Sequence, residues 1–174
     1  MNKKYILPIF LVVFIDMVGF GLILSLLPFY AQEYGATPFI IGMLIASYAA
    51  ASIIGSPILG RLSDKYGRKK ILILSILGTA IGFLLLAFAD RFGSFLALLF
   101  FYPQFLNFFI IFILFISRIL DGLTAGNITV SQAYISDITD EKSRAKSLGL
   151  IGAAFGFGFI IGPALGGFFS QWGV

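Results

Sequence analysis

Long apolar runs separated by short charged segments are the feature that most constrains the fold of this chain. Residues 71–89 include no charged side chain, and residues 95–117 include none either. A helix needs about 20 predominantly apolar residues to cross a bilayer. Hydrophobic residues make up 59% of the 174 positions and charged residues 11%, against roughly 25% charged in a soluble domain. The sequence therefore predicts an all-α integral membrane protein.

We expect the chain to cross the membrane five times. The first span follows the basic segment Asn2-Lys3-Lys4, but it is too long for the hydrophobic part of a secretory signal, which has about 7–15 residues. The stretch 95–127 would form one helix of about 50 Å, so we predict a break at Pro103-Gln104 and an interfacial segment before it. The predicted helices cover approximately residues 5–30, 38–59, 71–89, 105–130 and 147–169.

The cations are unevenly distributed across this topology. Arg91 falls alone on one side and Arg118 lies within the fourth span, whereas the other ten of the 12 Lys and Arg residues fall on the opposite side. Basic loops stay in the cytoplasm. The topology therefore predicts a cytoplasmic N-terminus and places Val174 outside. The ten residues are Lys3, Lys4, Arg61, Lys65, Arg68, Lys69, Lys70, Lys142, Arg144 and Lys146.

A charged connector, residues 60–70, lies between the second and third spans. It reads Gly-x-Leu-x-Asp-x-x-Gly-Arg-Lys-Lys, and we expect the preceding helix to stop at its first glycine. A loop that only obeys the positive-inside rule requires the cations but neither the carboxylate nor the two glycines. The pattern resembles the signature loop between helices 2 and 3 of the major facilitator superfamily (MFS) of secondary transporters. Its defining positions are Gly60, Asp64, Gly67, Arg68 and Lys69.

Three charged residues fall inside the predicted spans. A carboxylate at the centre of a lipid-embedded helix costs about 2.5–3.5 kcal/mol. Asp16 therefore needs a polar partner, a wet cavity or a bound proton, and it is either a paired structural charge or a titrating group on a polar pathway. Arg118 and Asp121 are three residues apart on one helical face, so they either neutralise each other or take part in proton coupling.

Small residues recur at helical spacing in the second, fourth and fifth spans, which predicts thin faces for close helix packing. Gly42 and Ala46 begin such a face in the second span. In the fourth, Gly122 and Gly126 follow Arg118 at four-residue intervals, and this run resembles a second MFS signature, in which the arginine is linked to proton coupling. The fifth span combines glycines with a proline, a run that resembles the motif of the antiporter branches. Its residues are Gly158, Gly162, Pro163, Gly166 and Gly167.

Together with residues 16–21 and 133–137, these motifs resemble the N-terminal part of the drug/H+ antiporters, and the tetracycline efflux proteins are the nearest of these families. The resemblance covers most of residues 5–167. It departs at residues 91–107, which are longer than the usual turn between helices 3 and 4, and at the chain end, which precedes a sixth helix. We therefore expect five helices of an MFS N-terminal six-helix bundle, without helix 6 and the C-terminal half, as in a truncated or split transporter gene.

The resemblance implies a membrane transporter that exports a hydrophobic drug-like compound, such as tetracycline, against an inward flow of protons. Asp16, Arg118 and Asp121 would serve proton coupling. The connector 60–70 would form a cytoplasmic gate with Asp137 and Arg144. An uptake carrier of the same superfamily is one alternative, although it should lack the Gly-Pro run. The other is a truncated membrane protein that transports nothing.

The composition also bounds the chemistry. The chain has no Cys and no His, which leaves no disulfide, no thiolate metal site and only carboxylates to carry protons near neutral pH. We see no catalytic constellation, so we predict neither an enzyme nor a cofactor. The net charge of +4 is divided among short loops, which argues against a nucleic-acid partner. The expected partners are the lipid bilayer, a small-molecule substrate, protons, and a missing C-terminal half or partner subunit.

Overall fold

The computed structural model describes residues 6–100 and 102–172, without the side chains of Pro103 and Trp172. The predictions that involve Lys3, Lys4 and Val174 lie outside this part of the chain. Two short 3-10 helices, Pro103–Phe105 and Ser170–Trp172, accompany the α-helices. The α-helices of the described residues are α1 (Ile6–Glu33), α2 (Pro38–Tyr66), α3 (Arg68–Ala87), α4 (Ala89–Leu99), α5 (Leu106–Leu123), α6 (Asn127–Ile138) and α7 (Glu141–Phe169).

Five helical segments of the described residues are long and apolar enough to cross a membrane: α1, α2, α3, α5 together with α6, and α7. The described residues contain no strand. The prediction of an all-α integral membrane protein is therefore confirmed. Leu, Ile and Phe side chains remain exposed along all of these segments, as expected where lipid is the solvent.

The connection between α2 and α3 is shorter than the sequence suggested. The helix α2 does not stop at Gly60, where a stop was predicted, but continues for six further residues to Tyr66. The turn is made by Gly67 alone, at φ +98°, a left-handed conformation that favours glycine. Its N–H closes α2 by donating to Ser63 O at 3.1 Å. The charges of this connector therefore sit on two helix ends that meet at one residue.

The predicted fourth span is two helices rather than one. α5 ends at Leu123 and α6 begins at Asn127, which leaves three residues between them. Neighbouring helices satisfy the freed backbone groups: Ser75 donates to Thr124 O and accepts from Gly126 N, while Ser56 donates to Ala125 O at 2.6 Å. Two serine hydroxyls thus replace helical hydrogen bonds that lipid could not replace.

Residues 91–107, which were predicted to be longer than the usual turn, are part of a helical hairpin. Only Phe88 separates α3 from α4, and α4 then packs antiparallel on α5. The packed face of α4 consists of small residues, and a Cβ at Gly93 would lie 2.9 Å from Ile110 N. The 3-10 helix Pro103–Phe105 reverses the chain, at the position where a break was predicted.

The pair α1 and α7 has the most extensive contact in the bundle. A Cβ at Gly158 would lie 2.9 Å from Phe14 O, and one at Gly162 would lie 2.6 Å from Val18 O. A Cβ at Gly166 would lie 2.9 Å from the Ser25 side chain. Glycine at these three positions therefore sets the distance between the two helices, as small residues do in lipid.

The opposite side of α7 is open. A Cβ at Gly149, Gly156 or Gly167 would meet nothing within 4 Å in the described part of the chain. The predicted packing role of Gly167 therefore has no partner helix among these residues and stays a prediction. The predicted thin face of α2 is also exposed at Gly42 and Ala46. α2 packs instead through the face that holds Leu44, Ala51, Gly55 and Leu59.

The N-terminus of α7 is capped by Asp140. Its carboxylate accepts from Ser143 N at 2.8 Å and from the Ser143 hydroxyl. These hydrogen bonds hold the pKa of the Asp140 carboxyl below its usual range. A cluster that joins Ile9 and Val13 of α1 to Ile135 of α6 and Ile151 of α7 lies toward the same end of the bundle. We call this end, which also carries the α2–α3 connection, the basic end.

The contact between α1 and α7 can be tested with two equal substitutions on one helix. Gly162→Ala places a methyl group against Val18 O and should lower the free energy of unfolding by about 1–3 kcal/mol. Gly156→Ala, which faces open space, should leave it unchanged or raise it slightly. Thermal unfolding of the purified variants in detergent measures both. Equal midpoints would contradict the packing described above.

Candidate functional site

Arg68 is the centre of a polar network at the basic end. Its Nη2 lies 2.5 Å from Asp64 Oδ1, and its Nε donates to Asp137 Oδ2 at 2.7 Å. Its Nη1 donates to Ser63 Oγ at 2.6 Å, and Ser63 is itself buried. One guanidinium thereby joins the end of α2, the start of α3 and the last turn of α6. Guanidinium has the fixed, forked donors that such a multiple contact requires.

The other predicted gate residues lie around this network. Gly60 accepts a hydrogen bond from Ser63 through its carbonyl, at 2.6 Å, and lies against Thr129. Lys69 and Arg144 are exposed, and within the described residues neither forms an ion pair. An open basic pocket of about 410 Å³ lies between the start of α3 and Asp137. The structure therefore brings Asp64, Arg68 and Asp137 together but leaves Lys69 and Arg144 in solvent.

Asp16 meets the first residue of α6. Its Oδ1 accepts from Asn127 Nδ2 at 2.6 Å, and the same amide group lies 3.4 Å from Thr79 Oγ1 of α3. No Lys or Arg of the described chain lies within 4.0 Å of the Asp16 carboxylate. The donor to this carboxylate is thus a neutral amide, and the charge of an ionised Asp16 would have no counter-ion among the described residues.

Arg118 and Asp121 form a buried ion pair on α5. Arg118 Nη1 lies 3.2 Å from Asp121 Oδ2, and the side chains are 2% and 6% exposed. The guanidinium also lies over the Phe83 ring, 5.8 Å from its centroid. Arg118 Nη2 has no hydrogen-bond partner among the described residues. Of the two interpretations, mutual neutralisation matches this geometry, with one donor left over, and a role in proton coupling stays a prediction.

Two cavities flank these groups on different sides. A cavity of about 300 Å³ between α1 and α3 is lined by Asp16, Thr79, Phe83 and Asn127 together with aliphatic side chains. Arg118 faces a much smaller space beside Phe20 and Tyr48. Thr79 of α3 lies 3.4 Å from the Asn127 amide nitrogen, and α3 also packs against Asp121, since a Cβ at Gly82 would lie 3.0 Å from the Asp121 Cβ. No hydrogen bond or ion pair joins Asp16 to Arg118 within the described residues.

Two polar atoms on α6 are buried without a partner among the described residues. They are Asn127 Oδ1 and Ser131 Oγ, one helical turn apart. Buried polar groups are nearly always hydrogen-bonded, so the unpaired Asn127 Oδ1, on a residue that lines the cavity of about 300 Å³, indicates a place for water or a transported group. Neither Asn127 nor Ser131 was predicted from the sequence as a site residue. The contact of Thr79 with Asn127 and the backbone hydrogen bonds of Ser56 and Ser75 were not predicted. Hydroxyl side chains are common in helices, and their spacing gives no signal.

No metal site accompanies these residues. Within the described ranges, no three His, Cys, Asp or Glu side chains come close enough to hold an ion. The acidic groups are instead each held by amide, hydroxyl or guanidinium donors. The arrangement can hold and release a proton at a carboxylate and can bind an anion or a hydrogen-bond acceptor at Arg118.

These features define a multi-pass membrane protein with a polar, partly charged site inside its helix bundle and a charged network at one end, as solute transporters have. The Major Facilitator Superfamily model matches residues 9–174. The chain belongs to this superfamily.

Several relatives are resistance proteins. The chain is 40% identical to the tetracycline resistance protein, class H, of Pasteurella multocida over 172 residues, which is 96% of the chain and 38% of that protein. It is 32% identical to the class E protein of Escherichia coli, over 98% of the chain and 38% of that protein. Multidrug resistance protein 2 of Bacillus subtilis is 33% identical over 93% of the chain and 36% of that protein. The chain thus spans less than half the length of these relatives.

The Arg68 network can be tested by exchanging two neighbouring cations without changing the net charge. Arg68→Lys removes the forked contacts and should lower the free energy of unfolding by about 1 kcal/mol, since the partners are half-exposed. Lys69→Arg, at an exposed position, should have no measurable effect. Unfolding in detergent at low and high salt measures the difference, which should shrink as salt rises. A loss that is equal in the two variants would contradict the network.

Proposed function

We propose that these helices are five of the six helices in the N-terminal half of a proton-coupled exporter of hydrophobic drug-like compounds, with tetracycline as the first candidate substrate. The names of the relatives support this substrate class, since several are tetracycline resistance proteins and another is a multidrug resistance protein. The family supports a carrier mechanism, in which two halves rock about a site between them. Enzymatic activity has no role in this proposal.

The observation that carries the proposal is the environment of Asp16. Its hydrogen-bond donor is the neutral amide of Asn127, and the nearby Arg118 is engaged by Asp121. An ionised carboxylate without a counter-ion is costly at this depth, and a bound proton removes the cost. Asp16 therefore carries the coupling proton, and the cavity of about 300 Å³ beside it gives the proton a path.

Arg118 and Asp121 adjust this site rather than carry the proton. The ion pair is neutral as a whole, and its free Nη2 donor can bind an acceptor atom of the substrate or a water molecule. A change in this pair is passed on through α3, which packs against Asp121 at Gly82 and meets Asn127 at Thr79, and Asn127 holds Asp16. Substrate binding at Arg118 would thereby weaken the hydrogen bond from Asn127 to Asp16 and allow the Asp16 carboxylate to gain or lose its proton.

The Arg68 network is the gate of the proposed exporter. The uneven distribution of cations supports a basic end, and with it an N-terminus, on the cytoplasmic side. The proposed exporter lies in the inner or plasma membrane. Asp64, Arg68 and Asp137 hold α2, α3 and α6 together in the closed state. Lys69 and Arg144 add cations around this closure.

A second half completes the site. The outer faces of α2 and α7 are lined with small residues and have no neighbour in the described chain, for example at Gly42 and Gly156. Smooth faces of this kind let a further bundle approach closely. The second half is provided by a C-terminal segment or by a partner subunit. An uptake carrier is less well supported, because the named relatives are resistance proteins.

The proposal predicts that Asp16→Asn abolishes proton-driven export and leaves the protein in the membrane. Inverted vesicles from cells that make a transporter containing these helices should accumulate tetracycline under an imposed pH gradient, and the variant should show only background accumulation. Exchange of labelled for unlabelled tetracycline, which needs no proton, should persist in the variant. Glu33→Gln, at the exposed end of the same helix, is the control and should transport normally. Proton-driven export that survives Asp16→Asn would remove Asp16 from the mechanism.

A further inference from the structure

The hairpin at the end opposite the basic end exposes an unusual number of aromatic rings. We call residues 89–112, which comprise α4, the 3-10 turn and the start of α5, the aromatic hairpin. Phe95 and Phe108 are each 62% exposed and Leu98 is 70% exposed. Stacked rings line its surface, including Phe108 with Phe112 at a centroid distance of 6.3 Å. Patches of this kind are rare on surfaces that face water.

This apolar surface continues the lipid-facing surface of the bundle without interruption. On the α3–α4 side, exposed apolar side chains follow one another at intervals of three or four residues across the junction at Phe88. The α5 side has a similar stripe. The first stripe is Leu77, Ile81, Leu84, Phe88, Phe92, Phe95 and Leu99, and the second is Ile119, Ile116, Phe112, Phe108 and Phe105.

The combined length of α3 and α4 fits the full thickness of a bilayer and exceeds the hydrocarbon core. Residues 68–99 form a nearly continuous helical path of about 48 Å at 1.5 Å per residue. The hydrocarbon core is about 30 Å thick, and the bilayer with its headgroup regions about 40–45 Å. A tilt of about 30°, within the range seen for membrane helices, places the whole path inside that thickness. The tip then lies at headgroup level rather than in water.

The charges of the hairpin suit that position. Residues 89–112 contain only two charged side chains, Asp90 and Arg91, and both are at the base. Arg91 lies over the Phe88 ring, 5.5 Å from its centroid, on the exposed face. A guanidinium beside aromatic rings is the arrangement that reaches lipid phosphate groups from an apolar surface.

We infer that the aromatic hairpin is a lipid-binding element, which lies in the interfacial region of the membrane and anchors the ends of α3 and α5 to phospholipid headgroups. A protein partner would need a polar rim around an apolar centre. The two exposed stripes of the hairpin are instead apolar as far as Leu99 and Phe105, and beyond Arg91 the exposed polar side chains Tyr102, Gln104 and Asn107 are confined to its end, at the level of the headgroups. This inference requires no transport activity and does not depend on the proposed function.

The absence of Cys from the chain permits a direct test. Single variants Phe95→Cys and Phe108→Cys are labelled with bimane and placed in phosphatidylcholine vesicles with 20% phosphatidylglycerol, a composition of about one anionic lipid in five chosen to supply phosphate partners for Arg91. Glu33→Cys, exposed at the same end, is the aqueous reference, and Leu84→Cys, on the lipid-facing stripe of α3, is the lipid reference. Gel filtration confirms that each variant is folded, and Leu98→Cys replaces a variant that is not.

The quenching pattern decides the question. Phospholipids that carry a spin label near the headgroup should quench both hairpin labels at least as strongly as the Leu84 label, and aqueous iodide should quench them far less than the Glu33 label. Quenching by iodide equal to that at Glu33 would place the hairpin in water and overturn the inference. Protection from both quenchers would also overturn it, because it would show that the hairpin is covered by protein. Dilution of the vesicles with excess lipid would then reveal whether a second copy of the chain is that protein.

Discussion

Backbone hydrogen bonding in lipid is the constraint on which this bundle depends most. The helical path between α5 and α6 is interrupted inside the membrane, where no water can replace the missing bonds. Ser75 and Ser56 supply them from α3 and α2. The interruption places Asn127 in the first turn of a new helix, from which its amide reaches Asp16 on α1. The polar site therefore exists because two serines make a broken helix tolerable.

The same bundle uses glycine to bring backbones together. A Cβ at Gly122 would contact Tyr48 O of α2, and one at Gly55 would contact Leu123 O of α5, so each helix of this pair accommodates the other. α1 and α7 repeat the arrangement through Gly158 and Gly162. Because lipid provides no hydrophobic drive between helices, close contact of this kind supplies much of their attraction. Two tightly packed pairs thus form a frame around the polar side chains.

The sequence predicts the elements of this structure better than their junctions. Apolar runs identify all five spans, and the spacing of Arg118 and Asp121 predicts that they pair. The continuation of α2 to Tyr66 was not predicted, because a glycine at position 60 suggested a stop, although Arg61, Leu62 and Lys65 beyond it are good helix formers. The break after Leu123 was also missed. The backbone groups that it frees are hydrogen-bonded by Ser75, about fifty residues away in the sequence. Contacts between distant residues leave no periodic signal along the chain.

The interrupted helix formed by α5 and α6 carries the partners of Arg118, Asp16 and Arg68. Asp121 on α5 holds Arg118, Asn127 in the first turn of α6 holds Asp16, and Asp137 in its last turn holds Arg68. Asn127 and Asp137 lie about 15 Å apart along a single rigid helix. A rotation of α6 at the break would therefore change the contact of Asp16 and the contact of Arg68 together, while α5 and its ion pair stayed in place. The continuity of α6 therefore links the polar site inside the bundle to the Arg68 network at the basic end.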